Sequence, residues 1–368
     1  MKMIGGNDKI TKGQSATLII GSILGVGILT LPSDLSKETG NSGIVMIIIG
    51  TILSILIVTI FTKLMLKFEA KTIVEIMNEL LPRPITIIFE AIFVLFYIFS
   101  AAAVVRIFAE VVKMFLLHDT PLEVIMISML LSIVYIVRKG IEGIARLVQV
   151  ILPIVIIPFG LLLISLIPEL DFESINNIMR FNMSDIIRGL KVTLFSFIGM
   201  DIVLISMAYV EKPKKVLKYN ISAIIFLGLI YLIIFIVVTC QFGMEQTKDL
   251  LWPTLFLMKT IDIPGSFLEN IEGVVIGLWT FIVLQALSVI LMQANIVLSK
   301  SFKLKEIDFL SIAIIPILYL LTLVPQNINE VYYYIGLFSN YLGTSVTFII
   351  PFVLFGLSIF KKKGASKS

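Results

Sequence analysis

The groups best placed to do chemistry in this chain are backbone groups rather than side chains. Gly25 and Gly27 sit in the middle of a long apolar run that closes at Pro32, and Phe197, Gly199 and Asp201 sit in the middle of another. Glycines and a proline inside an apolar stretch are the places where a helix unwinds. An unwound turn bares amides and carbonyls, and in lipid each bare group costs several kcal/mol, so something polar must meet it. The amide end of a half-helix carries partial positive charge and suits a carboxylate, whereas the carbonyl end suits an ammonium or a cation. A small zwitterion such as a free amino acid answers both ends at once.

Gly25 and Gly27 would let such a ligand reach the backbone, and Phe195 and Phe197 would stand beside it as an apolar wall or gate. Tyr97 and Ser100 lie midway along a third apolar run, within reach of a central cavity; a tyrosine there can equally pack with its hydroxyl satisfied. The competing reading of the first run is packing: Gly21 and Gly25 form the G-x-x-x-G spacing of membrane helix pairs, and Pro32 alone could kink a helix. Asp201 is too costly to face lipid and must point into the bundle, either to a structural partner or to a polar cavity. Arg106 and Glu110, four apart, read as a structural pair. Gln285, Ser288, Gln293 and Asn295 mark a polar face suited to helix-to-helix hydrogen bonds, and Trp252 and Tyr332 to Tyr334 read as interfacial anchors.

The elements that must position these residues are membrane helices. Of 368 residues 58% are hydrophobic and 15% charged, with a mean hydropathy of +1.06, against roughly 25% charged in soluble domains. Stretches long enough to cross a hydrocarbon core, about 20 residues each, fall near 14–36, 42–66, 85–115, 122–138, 145–167, 185–210, 220–241, 271–296, 307–324 and 334–360. The fold class expected is therefore all-α, with ten transmembrane helices of which the first and sixth are broken. The first stretch lacks the features of a removable signal peptide.

Lysine and arginine fix the orientation. With the N-terminal side taken as cytoplasmic, inner segments hold 21 of them and outer segments five, which places both termini in the cytoplasm. The net charge of +4 is thus a topological signal and gives no nucleic-acid footprint, while Lys361 to Lys363 form a basic tail suited to anionic lipid. One cysteine, Cys240, and one histidine, His118, leave no thiol or imidazole cluster, so neither a metal site nor a cofactor is expected and an enzyme is disfavoured.

The chain reads as one integral membrane domain over 1–368. It comprises an N-terminal segment 1–13, two five-helix halves at 14–182 and 183–360, and the tail 361–368. Five spans reverse direction, so the halves are inverted relative to each other, and their first helices carry the paired breaks that mark midplane substrate sites in transporter folds.

At this point the residues resemble a known superfamily. Gly25-Val26-Gly27-Ile28-Leu29 and Phe195-Ser196-Phe197-Ile198-Gly199-Met200-Asp201 resemble the first-helix and sixth-helix motifs of the amino acid/polyamine/organocation transporters, which have the LeuT-type 5+5 inverted-repeat fold. The opening Ile10-Thr11-Lys12-Gly13-Gln14, the run ending at Pro32 and the ten-span length are similar to the B subunits of bacterial spore germinant receptors. The resemblance implies a subunit of the spore inner membrane that senses a small germinant, often an amino acid, and assembles with A and C subunits. It implies ligand-facing positions at Gly25, Val26, Gly27 and Ile28, with Phe195, Phe197, Ile198 and Gly199 opposite. Val26 stands where many transporters of the superfamily have a hydroxyl residue, and the fifth span lacks a buried lysine; both features favour sensing over active transport, which remains the alternative.

Overall fold

The computed structural model describes residues 8–175, 182–260, 271–304 and 308–360, and the basic tail, Lys2 and Arg180 lie outside them. Its regular structure is almost wholly helical. Among the described residues, six helical runs are long and apolar enough to cross a membrane: Gly27–Lys67, Arg83–Phe115, Gly140–Glu169, Val216–Asp249, Gly273–Ser301 and Ile328–Phe360. The pair Met183–Ser196 and Met200–Tyr209, bent by 51°, makes a seventh, and Leu122–Val137 and Phe309–Leu323 are shorter apolar helices.

Local chemistry explains where the first helices start and stop. Helix α1 (Lys12–Ile23) opens on a capping box in which the Thr11 hydroxyl accepts from the Gln14 amide while the Gln14 side chain accepts from the Thr11 amide. The opening motif is thus a helix start. Leu24, Gly25 and Val26 are non-helical, and α2 (Gly27–Thr39) resumes after them. Pro32 sits inside α2 and has no amide to offer the carbonyl of Ile28; the Thr254 hydroxyl donates to that carbonyl instead, at 2.7 Å. A 3-10 turn, Gly40–Ser42, leads into α3 (Gly43–Lys67).

A short amphipathic helix, α4 (Ile73–Leu80), precedes the long α5 (Arg83–Phe115), which is followed by α6 (Leu122–Val137) and α7 (Gly140–Leu166). In the second half α8 (Met183–Ser196) ends at a turn, and a 3-10 segment, Met200–Ile202, leads into the single turn α9 (Val203–Ser206). Then come α10 (Val216–Asp249), the short α11 (Pro253–Lys259), α12 (Ile271–Ser301), α13 (Asp308–Leu323) and α14 (Ile328–Phe338). Two π-helical stretches, Ser339–Gly343 and Ser345–Ile349, join α14 to α15 (Ile350–Phe360).

The broken helix α1–α2 lies at the centre. α1 packs on α7, α10 and α12, and α2 packs on α8, α10 and α11. Glycines set the closest approaches: a Cβ at Gly50 of α3 would fall 2.3 Å from Thr193 of α8, and one at Gly228 of α10 would fall 2.4 Å from Thr51 of α3. Helices meet there only because a side chain is missing. A buried polar tie joins three helices, with Ser15 of α1 donating to Asn220 of α10 and Asn220 donating to Thr62 of α3, each at 3.0 Å. Beyond the N-terminal end of the bundle, Ile10 pairs with the segment after α9: its amide donates to the Tyr209 carbonyl and its carbonyl accepts from the Glu211 amide, both at 2.9 Å.

Candidate ligand cavity at the two helix breaks

The turn after α8 can be made only by glycine. Gly199 has φ of 110°, and a Cβ there would stand 2.8 Å from the carbonyl oxygen of Ser22. The turn is stitched to the end of α1 by the Ser22 hydroxyl, which donates to the Gly199 carbonyl at 2.8 Å. The Tyr231 hydroxyl of α10 donates to the Ser196 carbonyl at 2.8 Å, satisfying a group that the end of α8 leaves free. The two breaks therefore face each other across one hydrogen bond.

Beside them opens a cavity of about 180 Å³. Gly25, Val26 and Gly27 line it from the first break, and Phe195, Ser196 and Ile198 from the second. Phe99, Ser100 and Ala103 of α5 close one side, Ala286 and Ile290 of α12 another, and Tyr332 and Phe338 of α14 the remainder. No described partner meets the amides of Gly25 to Ile28, and Gly27 and Ile28, as the first residues of a helix, have none within it. Thr30 and Asp34 continue the lining along α2. Asp34 is the one carboxylate in the lining, which contains no Lys, Arg or His. The cavity can thus hold an anionic group at the start of α2 and a cationic group one to two turns along the same helix.

Of the nine positions expected to face a ligand, Gly25, Val26, Gly27, Phe195 and Ile198 line the cavity, and four are placed elsewhere. Ile28 points to the other face of the helix and lines a separate apolar crevice. Phe197 is fully buried and turned onto Tyr231, with ring centroids 5.3 Å apart. Gly199 is pressed against Ser22. Tyr97 lies beneath the cavity, where its hydroxyl donates to Asp201 at 2.7 Å. Gln293 of α12 donates to the same carboxylate oxygen at 2.9 Å, and the Gly199 amide donates to the other at 3.1 Å. Asp201, 1% exposed, is therefore a bundle-facing residue with three donors, on the N-terminal side of the cavity.

The polar face of α12 divides: Gln293 and Asn295 bond across helices, whereas Ser288 donates to the Leu284 carbonyl of its own helix and the buried Gln285 side chain has no partner among the described residues. Arg106 pairs with Glu110 at 2.9 Å, and Asn295 donates to Ser311 of α13 at 2.6 Å. Trp252 and Tyr332 are not interfacial anchors: Trp252 is 2% exposed and its indole donates to the Tyr332 hydroxyl at 2.7 Å, at the rim of the cavity. Trp252 is buried because α11 folds back over α2 and α12, and Tyr332 is half-buried at its side. Sequence reasoning missed Asp34 and Thr30, although the spacing 27, 30, 34 is one helix face and held the signal.

A family model of spore germination proteins matches residues 9–331. The chain belongs to that family. Among its relatives, spore germination protein YndE of Bacillus subtilis is 26% identical over 98% of this chain and 99% of its own length. Spore germination protein B2 of the same organism is 27% identical over 96% of each chain, and spore germination protein GerLB of Bacillus cereus is 23% identical over 99% of this chain and 98% of its own.

Solved structures supply the fold. A Na⁺-coupled sialic acid symporter in a substrate-bound, outward-open state superposes with a TM-score of 0.72 at 16% identity, covering 97% of this chain and 80% of the symporter. MhsT in complex with L-phenylalanine gives 0.65 at 16% identity, covering 96% and 88%. This spore germination protein is therefore an all-helical, multi-pass membrane protein with the LeuT-type transporter fold.

Proposed function

We propose that this spore germination protein is the ligand-binding membrane subunit of a germinant receptor. It takes a small germinant, an amino acid foremost, at the unwound segments of its first and sixth spans and passes the event to partner A and C subunits. In this reading the helices make ten crossings as two inverted five-helix halves, with both termini cytoplasmic and the protein in the spore inner membrane. The observation that carries the reading is the cavity itself: both breaks border it, free amides stand at one end, and Asp34 is its one carboxylate. The germinant carboxylate would meet the amides at the start of α2, its ammonium group the side of Thr30 and Asp34, and its side chain the rings of Phe99, Phe195 and Phe338.

The test is thermal stabilisation of the purified chain by each common amino acid in turn. A ligand held by the folded state raises the unfolding temperature in proportion to its occupancy, by about 2.7 kcal/mol of stability at a hundredfold excess over Kd. One or a few amino acids should do so, and the shift should shrink in Asp34→Asn. A uniform absence of stabilisation by amino acids would overturn the reading. Proteoliposomes holding this chain alone separate sensing from transport: saturable binding without accumulation of labelled ligand fits a receptor subunit, and concentrative uptake fits a transporter instead.

A further inference from the structure

The helical run Ile328–Phe360 turns two contrasting faces to its surroundings. On one side Tyr332, Ile335, Phe338 and Ser339 line the ligand cavity. The side turned away from the cavity is exposed, and toward the two ends of the run it is largely apolar, with Tyr333 and Leu337 at one end and Ile349 and Phe352 at the other. That is the composition of a surface in contact with lipid. Between these ends the same surface carries Asn340, Tyr341 and Thr344, all exposed, Tyr341 by 72%.

These polar groups stand near the middle of the bilayer. The run is 33 residues long with Thr344 at its centre, and Asn340 lies about 6 Å from that centre at the rise of a helix. The neighbours give the same depth: a Cβ on Gly343 would meet Phe96 of α5 at 3.3 Å and Ile198 of the second break at 3.4 Å, and paired breaks of this kind lie at the midplane. Two hydroxyls are satisfied within the helix, Thr344 donating to the Ser339 carbonyl at 3.4 Å and Ser345 to the Tyr341 carbonyl at 2.7 Å. The Asn340 carboxamide and the Tyr341 hydroxyl have no hydrogen-bond partner among the described residues. Polar side chains at this depth face a bundle interior or pair with one another. Acyl tails offer neither donor nor acceptor and water is absent there, so the carboxamide needs another membrane helix at its own level.

We infer that this face is the interface between two copies of the chain, which cross at Asn340. Copies of one chain enter the membrane in the same orientation, so a two-fold axis along the membrane normal brings Asn340 of each to the same depth. A carboxamide carries both a donor and an acceptor, so the two satisfy each other reciprocally. The backbone allows the approach. Gly336, one turn before Asn340, has nothing within 4 Å of an added Cβ, and small residues let membrane helices come close. The crossing point also falls in the π-helical stretch Ser339–Gly343, a local distortion found mostly at functional sites. Leu337 on one side and Ile349 on the other supply apolar packing around the polar centre. The interface and the ligand cavity thus occupy two faces of one helix.

The chain has one cysteine, Cys240, so Asn340→Cys combined with Cys240→Ala leaves a single thiol at the crossing point. Oxidation of membranes holding that variant should give a disulfide-linked dimer of the chain. Leu161→Cys in the same background, on the exposed face of α7, should not. In phosphatidylcholine vesicles, energy transfer between copies carrying donor and acceptor dyes should report a dimer for the unsubstituted chain. Asn340→Leu, which suits lipid, should raise its dissociation constant about tenfold, equivalent to about 1.4 kcal/mol and within the range of interhelical hydrogen bonds. Equal crosslinking at both cysteine positions, crosslinking of Asn340→Cys to a different protein alone, or a dimer indifferent to Asn340→Leu would overturn the assignment. Should a variant not fold, the unsubstituted chain decides: transfer above that of randomly mixed monomers supports the interface, and its absence overturns it.

Discussion

The cavity between the two breaks and the Tyr97–Asp201–Gln293 cluster beside it draw on the same helices, α5, α12 and the turn after α8, yet they treat polar groups in opposite ways. In the cluster, one carboxylate collects a hydroxyl, an amide side chain and a backbone amide at 2.7 to 3.1 Å. In the cavity, the amides at the start of α2 have no described partner, and Asp34 stands in the lining with the Thr30 hydroxyl as its hydrogen-bond partner. Burial makes the difference consequential. An unpaired group deep in the bundle costs more than one a ligand or water can reach, so the satisfied region serves as a floor and the unsatisfied one as a receptacle. On the N-terminal side the floor is reinforced by the Ile10–Val210 bridge and by the Lys300–Glu75 pair at 2.8 Å, which ties α12 to α4.

Breaking the floor should cost most. Asp201→Ala leaves the Tyr97 hydroxyl and the Gly199 amide without their acceptor and the Gln293 amide with the Tyr97 hydroxyl alone, and should lower stability by about 3 kcal/mol, read as a fall in unfolding temperature. Gly199→Ala follows, because it forces a side chain into a left-handed conformation and against the Ser22 carbonyl. A loss of about 2 kcal/mol in the same assay is expected. If either variant unfolds as the parent does, the distinction between floor and receptacle is wrong.

On the receptacle side the signature reverses, with binding lost and stability kept. Asp34→Asn should leave the unfolding temperature unchanged and weaken binding of a zwitterionic germinant about tenfold, or about 1.4 kcal/mol, measured by calorimetry or by the germination dose response of spores. Gly25→Ala is accepted sterically, its nearest neighbour being the Ala286 Cβ at 3.5 Å. The variant should assemble and shift the dose response by a few fold, about 0.5–1 kcal/mol.

The smallest effect belongs to the half-exposed Glu75–Lys300 pair, worth less than about 1 kcal/mol. Burial raises the Glu75 carboxyl, but hydrogen bonds from Lys300 and Thr72 outweigh it and hold the group below the ordinary carboxylate range. A carboxyl lowered on folding contributes stability above its unfolded value and loses it as pH falls through the lowered one. Unfolding temperature compared between the parent and Glu75→Gln should therefore differ slightly at neutral pH and converge in acid.

Much of this protein was legible in its residues. The apolar runs located helices because lipid leaves the backbone no other way to satisfy itself. Gly25, Gly27 and Gly199 located both breaks because their freedom of conformation is local. Arg106 and Glu110 found each other at helical spacing. Position along the chain points Phe197 and Tyr97 to the ligand, but facing depends on rotation, and at the α8 turn Phe197 goes to Tyr231 while its neighbours Phe195 and Ile198 face the cavity. Trp252 and Tyr332 carry the composition of an interface anchor, and only their 2.7 Å hydrogen bond reveals a rim.

The sequence by itself determined that the chain lives in lipid, where its helices break, and which family it belongs to, since each follows from local composition or linear motif. Tertiary structure alone decided that the two breaks share one cavity, that Asp201 supports its floor and Asp34 its lining, and that an apolar crevice lies behind the first break. Those depend on which faces of helices far apart in sequence are turned toward one another, and a hydrophobic run pointing into a bundle reads the same as one pointing into lipid.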